Sequence, residues 1–138
     1  MNKIKLISVP VILGLFVGCT SPLQGEWEIE ATDADDCTFD ANISAEGDEL
    51  YGDVDVACRL FFYIGSDLYY YDLDESRADL EGRTFSGDDF EFEVSFYDQT
   101  LQDDKIVFEF EGRLYDDIME GDISLDGSDF GEFEGTQR

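Results

Sequence analysis

Cys37-Thr38-Phe39-Asp40-Ala41-Asn42-Ile43 and, beyond the turn Glu46-Gly47-Asp48-Glu49, Gly52-Asp53-Val54-Asp55-Val56-Ala57-Cys58 decide the fold of this chain. In both runs apolar and polar residues alternate with a period of two, the pattern of a strand buried on one face. A hairpin turning between Gly47 and Asp48 pairs residues whose numbers sum to 95. That register sets Ile43 opposite Gly52, Ala41 opposite Val54, Phe39 opposite Val56 and Cys37 opposite Cys58. A slip of one residue would turn every apolar side chain to the wrong face, so the oily pattern and the cysteines choose the same pairing independently. Directly opposed strand residues lie at separations a disulfide spans, and a Cys37–Cys58 bridge is expected. A redox pair is the competing reading, but no C-x-x-C spacing or neighbouring base would lower a thiol pKa.

The alternation continues in both directions. Upstream, residues 25–32 place Glu26, Glu28 and Glu30 on one face and Trp27, Ile29 and Ala31 on the other. Downstream, Ala78, Leu80 and Gly82 are followed by Phe90, Phe92, Val94 and Phe96, then by Ile106, Phe108, Phe110, Gly112 and Leu114. Met119, Gly121, Ile123 and Leu125 come next, and Gly131, Phe133 and Gly135 close the series. Turns are expected at Ser86-Gly87-Asp88, in a polar loop over residues 98–104, at Asp116-Asp117 and at Asp126-Gly127-Ser128. Turning at Asp116-Asp117 pairs Leu114 with Met119, Gly112 with Gly121 and Phe110 with Ile123, which again gathers apolar residues on one face. Glycines on that inward face either let a strand bend hard enough to close a sheet or make room for a ligand.

Eight or nine strands in short succession, with no amphipathic helix, predict an all-β protein: an antiparallel up-and-down β-barrel, with a two-sheet sandwich as the alternative. The inward set includes Trp27, Phe39, Phe90, Phe92, Phe96, Phe108, Phe110 and Phe133. Eight strands enclose a space that side chains just fill, so this many rings predicts a solid interior. Gly25-Glu26-Trp27 is similar to the G-x-W signature of the first lipocalin strand. The resemblance covers three residues and implies an eight-stranded antiparallel barrel; the other lipocalin motifs are absent.

The outward face is acidic. In the register that pairs Val94 with Phe108, Glu93 faces Glu109 and Glu91 faces Glu111; in neighbouring hairpins Glu111 faces Asp122 and Asp40 faces Asp55. Only Arg113, opposite Glu120, is complementary among these positions. Each like-charge pair costs about 0.2–1 kcal/mol. A saline medium, divalent cations or a basic partner would relieve it.

Residues 60–73 are aromatic on both faces. Phe61, Tyr63, Tyr69, Tyr70 and Tyr71 form a candidate binding patch around the turn Gly65-Ser66, since exposed tyrosines make low-entropy binding anchors. Alternatively they cover a barrel end. Asp72-Leu73-Asp74-Glu75-Ser76 begins like a calcium loop, but Arg77 stands where an EF-hand needs glycine and Arg83 where it needs a bidentate glutamate. A solvated turn is expected there, and no metal site is assigned.

The N-terminus supplies an address. Lys3 and Lys5 precede an apolar run from Leu6 to Val17, too short to span a bilayer, which ends in Leu15-Phe16-Val17-Gly18-Cys19. This resembles the lipobox of bacterial lipoprotein precursors. The resemblance implies removal of residues 1–18, lipidation of Cys19 and membrane attachment through acyl chains, two or three of which hold where one does not. Residues 19–24 would be the lipidated cysteine and tether, and residues 25–138 the barrel domain. Aspartate after the lipidated cysteine retains enteric lipoproteins in the inner membrane; here the position is Thr20, which implies the outer membrane in a Gram-negative host. From Thr20 to Gln24 the tether spans at most about 17 Å.

Cleavage would leave 120 residues, enough for one core. Six bases would then face all 35 acids, a net charge of −29. Such a surface repels nucleic acid and anionic headgroups and favours a cationic protein or divalent cations. With no histidine in the chain, His-containing zinc sites and histidine-based triads are excluded. Paired carboxylates are uninformative among 35 acids, and neither catalytic residues nor cofactors are assigned. The sequence points to a non-enzymatic cell-envelope lipoprotein presenting an acidic barrel to a macromolecular partner or cations. The alternative is a lipocalin-like carrier of a small lipophilic or aromatic ligand, which needs a cavity.

Overall fold

A ribbon with one oily and one charged face buries the oily one fully only by curling until its first and last strands meet. In the computed structural model, which describes residues 21–32, 37–85, 88–98 and 104–138, the sheet does this. Eight strands follow one another: β1 (Gly25–Ala31), β2 (Cys37–Glu46), β3 (Glu49–Ile64), β4 (Asp67–Thr84), β5 (Asp89–Asp98), β6 (Asp104–Tyr115), β7 (Ile118–Leu125) and β8 (Ser128–Gln137). Each pairs antiparallel with its sequence neighbours and β8 returns to β1, closing an up-and-down barrel. Ile29 opposite Gly135 and Ala31 opposite Phe133 form the seam. The two-sheet sandwich is thereby set aside.

The registers read from hydrophobic pattern are those observed. Cys37 faces Cys58 and the two are disulfide-bonded. Leu114 faces Met119, and Val94 faces Phe108. All eight inward rings named from the sequence are buried, and no polar or charged residue is buried among the described residues. Phe39 meets Phe108 and Phe110 edge-on at 5.0 and 5.1 Å between ring centroids, while Phe92 stacks on Phe110 at 4.8 Å. These contacts fill the barrel centre with the offset and T-shaped packing that aromatic quadrupoles favour.

The inward glycines serve closure. A Cβ on Gly121 would stand 2.1 Å from the carbonyl oxygen of Glu111 and 2.5 Å from the Cα of Gly112, its partner across β6 and β7. The strands approach too closely there for any side chain, so these positions are occupied by neighbouring backbone and leave no space for a ligand.

One expectation changes in the β3–β4 region. Residues 60–73 form a hairpin around Gly65-Ser66, as the tip of the longer strands β3 and β4, of 16 and 18 residues. The solvated turn expected at Asp72–Ser76 is strand instead. Charge density in that segment reads as a turn, but pairing with β3 overrides it, and only one irregularity remains. Between Val54 and Val56 the register shifts, Arg77 adopts φ 62°, and its N–H donates to the carboxylate of Asp55 at 3.0 Å. This is a β-bulge, which sharpens the local twist.

The packed unit also begins before Gly25. Leu23 is buried, and its carbonyl accepts a 2.8 Å hydrogen bond from the indole Nε1 of buried Trp27. The lipobox with Cys19, Ser86-Gly87 and most of the polar loop after β5 lie outside the described residues.

Candidate functional site

Strand alternation fixes what the outer wall carries. Every second residue points outward, and the observed registers align these residues into rows that run around the barrel. One row reads Glu91 on β5, Glu111 on β6, Asp122 on β7 and Glu132 on β8, each directly opposite the next. A second sets Glu81, Glu93 and Glu109 side by side on β4, β5 and β6, and a third joins Glu28, Asp40 and Asp55 across β1, β2 and β3. Asp53 also faces Asp79, and Glu134 lies between Glu120 and Glu30. A depression on this wall is lined in part by Glu81, Glu93, Glu109, Glu111 and Asp122.

Arginines sit beside or within rows. Arg83 pairs with Glu91 at 3.1 Å, and Arg138 reaches Asp40 at 2.8 Å and Glu28 at 3.9 Å. Arg113 does face Glu120, as its register position implied, but its guanidinium bonds Asp89 on the other neighbouring strand, at 2.8 Å. The hydrogen bond to Asp89, reinforced by its charge, raises the Arg113 pKa above the ordinary arginine value. All of these pairs are solvent-exposed, where an ion pair contributes little. They trim the negative field without cancelling it.

Among the described residues, no three carboxylates or cysteines converge as metal ligands would. Regular strand spacing explains this: it spreads the acids in lines, while a cation cage needs oxygens drawn around one point. The rows can attract and screen cations diffusely or meet a row of bases on another surface.

The second feature is an arm. β2 starts at Cys37, opposite Cys58, and β4 pairs with β5 only from Asp79 onward. Beyond those points, among the described residues, β3 and β4 pair only with each other, as a two-stranded ribbon carrying Arg59↔Asp72, Phe61↔Tyr70 and Ile64↔Asp67. Six residues past Cys58 extend it about 20 Å from the barrel. Of the candidate patch, Phe61, Tyr69 and Tyr70 are exposed here, with Ile64 and Leu68 beside them. Phe61 packs edge-on against Tyr70, whose ring also receives the guanidinium of Arg59 at 5.9 Å. Tyr71 departs from the patch: it is half-buried and, with Leu60, packs against the core and covers part of the barrel end. The backbone of Tyr63 is strand; its side chain lies outside the description.

The sequence reading identified the aromatic residues but missed Ile64 and Leu68, and missed that the cluster projects. The signal was available in length. β2 starts at Cys37, opposite Cys58, so apolar strand continuing past Cys58 has no barrel neighbour on that side among the described residues. The arm lies at the opposite end of the barrel from Gly25, because β1 begins where β2 ends and Gly25 faces Ile43.

No protein-family model matches this chain, and no curated protein or solved structure is significantly similar to it.

Proposed function

We propose that the chain is a non-enzymatic cell-envelope protein, held to the membrane through lipid on Cys19, whose acidic barrel docks a cationic macromolecular partner or gathers cations. The observation that carries this reading is the unbroken row Glu91, Glu111, Asp122 and Glu132, four directly opposed carboxylates on adjacent strands. A sheet with no use for negative charge would intersperse lysines, since like charges opposed across strands are destabilising. Here the cost is repeated along several rows. Facing basic groups would turn that repulsion into complementarity and speed encounter by long-range attraction. The same field repels nucleic acid and keeps the wall off anionic headgroups, leaving the acyl anchor as the contact with the membrane.

The carrier reading, suggested by the G-x-W resemblance, has weaker support. Its ligand would need the space that Trp27, Phe39, Phe92, Phe108 and Phe110 occupy.

Three experiments test the proposal. Binding of polylysine to the full-length chain is expected to be tight at about 20 mM NaCl and lost at about 500 mM, since the Debye length shrinks severalfold between them. It should weaken in a Glu93→Gln/Glu109→Gln/Glu111→Gln variant; no retention of the probe at low salt would refute the docking surface. Calcium at millimolar concentration that stabilises the fold far more than ionic-strength-matched NaCl would favour the cation branch. Cys19→Ser should release the chain from the membrane fraction, and a chain still bound after that change would refute the anchor.

A further inference from the structure

The two edges of the arm are unlike. Exposed strand edges are normally defended against pairing by lysine, proline, a bulge or charged side chains. The β4 edge carries Asp67, Asp72, Asp74 and Glu75 and ends in the Arg77 bulge. The β3 edge reads Leu60-Phe61-Phe62-Tyr63-Ile64, with no charge, proline or glycine. Its nearest charge, Arg59, is tied to Asp72 at 2.8 Å. In a protein guarded by acids almost everywhere else, this is a stretch of high β-propensity with no gatekeeper.

The hairpin geometry says which backbone groups this edge offers. A two-residue turn at Gly65-Ser66 closes on Ile64 and Asp67 as a narrow pair that exchanges both hydrogen bonds. Leu60, Phe62 and Ile64 therefore bond to β4, while Phe61 and Tyr63 turn their N–H and C=O groups outward. β2 starts at Cys37, and among the described residues no barrel strand pairs with them.

We propose that this edge pairs antiparallel with the same edge of a second copy, about a twofold axis near Phe61, so that two arms form one four-stranded sheet. Charge argues for that occupant. Residues 59–71 contain one arginine and one aspartate, a neutral segment on a strongly acidic protein, so a basic partner would be drawn to the carboxylate rows and not to the arm. A bilayer is disfavoured on the reading proposed above, because the arm lies at the far end of the barrel from Gly25, and a lipid on Cys19 would attach through a tether of at most about 17 Å that ends beside Gly25. A second copy offers, by symmetry, an uncharged edge of equal length. Joining at the arms also holds the two acidic barrels apart at opposite ends of ribbons about 20 Å long, beyond the Debye length of about 8 Å at physiological ionic strength.

Sedimentation of the full-length chain in mild detergent, with micelles in excess, reads this directly at about 20 mM and about 500 mM NaCl. The wild type is expected to dimerise, with a dissociation constant that falls as salt rises, the reverse of the salt response of cation binding. Phe61→Lys places charge on the edge, and Phe61→Pro removes an outward N–H without removing a bond to β4; both should lose the dimer. Tyr97→Lys, a ring on β5 more exposed than Phe61, should keep it. Circular dichroism and the intact Cys37–Cys58 bridge report whether each variant is folded. A wild type that is monomeric at both salts, a dimer loosened by added salt, or equal loss in Tyr97→Lys overturns the proposal.

Discussion

Neutralising Glu111 is expected to stabilise the protein, and only when salt is scarce. Glu111 stands between two carboxylates, Glu91 on β5 and Asp122 on β7, each directly opposite it. Directly opposed residues have Cβ atoms about 5 Å apart, and each like-charge pair costs about 0.2–1 kcal/mol. Glu111→Gln removes two such pairs while keeping the shape of the side chain, so a gain of about 1 kcal/mol is expected at about 10 mM NaCl, where the Debye length is about 30 Å. At about 1 M the Debye length of about 3 Å is shorter than the separation, and the gain should shrink to a few tenths of a kcal/mol. Glu26→Gln is the control: Glu26 faces Asn42, and its own carbonyl accepts from the N–H of Arg138, so no acid lies opposite on either side. The assay is urea unfolding followed by fluorescence of Trp27, the only tryptophan in the chain and a buried one. If both variants gain equally, the repulsion belongs to the net charge and not to the rows. If Glu111→Gln gains nothing at low salt, the rows carry no strain and the argument for a facing partner fails.

Other perturbations test the architecture. Replacing Cys37 and Cys58 by serine opens a loop whose ends are 21 residues apart, and should lower stability by about 3 kcal/mol, read as a shift of the urea midpoint. Gly121→Ala drives a methyl group into the backbone of β6 at 2.1 Å, and should cost about 3 kcal/mol or more by the same measurement. Gly47→Ala, at φ 63° with open space around it, should cost only about 1 kcal/mol. Trp27→Phe leaves the buried carbonyl of Leu23 without its donor and should cost about 1–3 kcal/mol. It should also make the chain before Gly25 more accessible to protease, and a protected N-terminal segment in that variant would refute the role given to the indole.

The sequence by itself determined which face of each strand is oily, and so determined the registers. A period of two admits only alternate pairings, and buried rings such as Phe39 and Phe108 penalise every slipped one. That is why Cys37 opposite Cys58, Phe110 opposite Ile123 and the row of acids behind them were legible before any coordinates. The tertiary structure decided what local patterning cannot encode: where a strand loses its neighbour. Residues 60–76 look, residue by residue, like a short hairpin and an acidic turn; only the lengths of β2 and β5 beside them make one continuous arm. The partner of Arg113 was decided the same way, because an outward side chain has two neighbouring strands to choose from and register names the residues without choosing between them. The burial of Leu23 was decided by tertiary packing too: it lies before the first alternating residue, where no periodicity marks it as core.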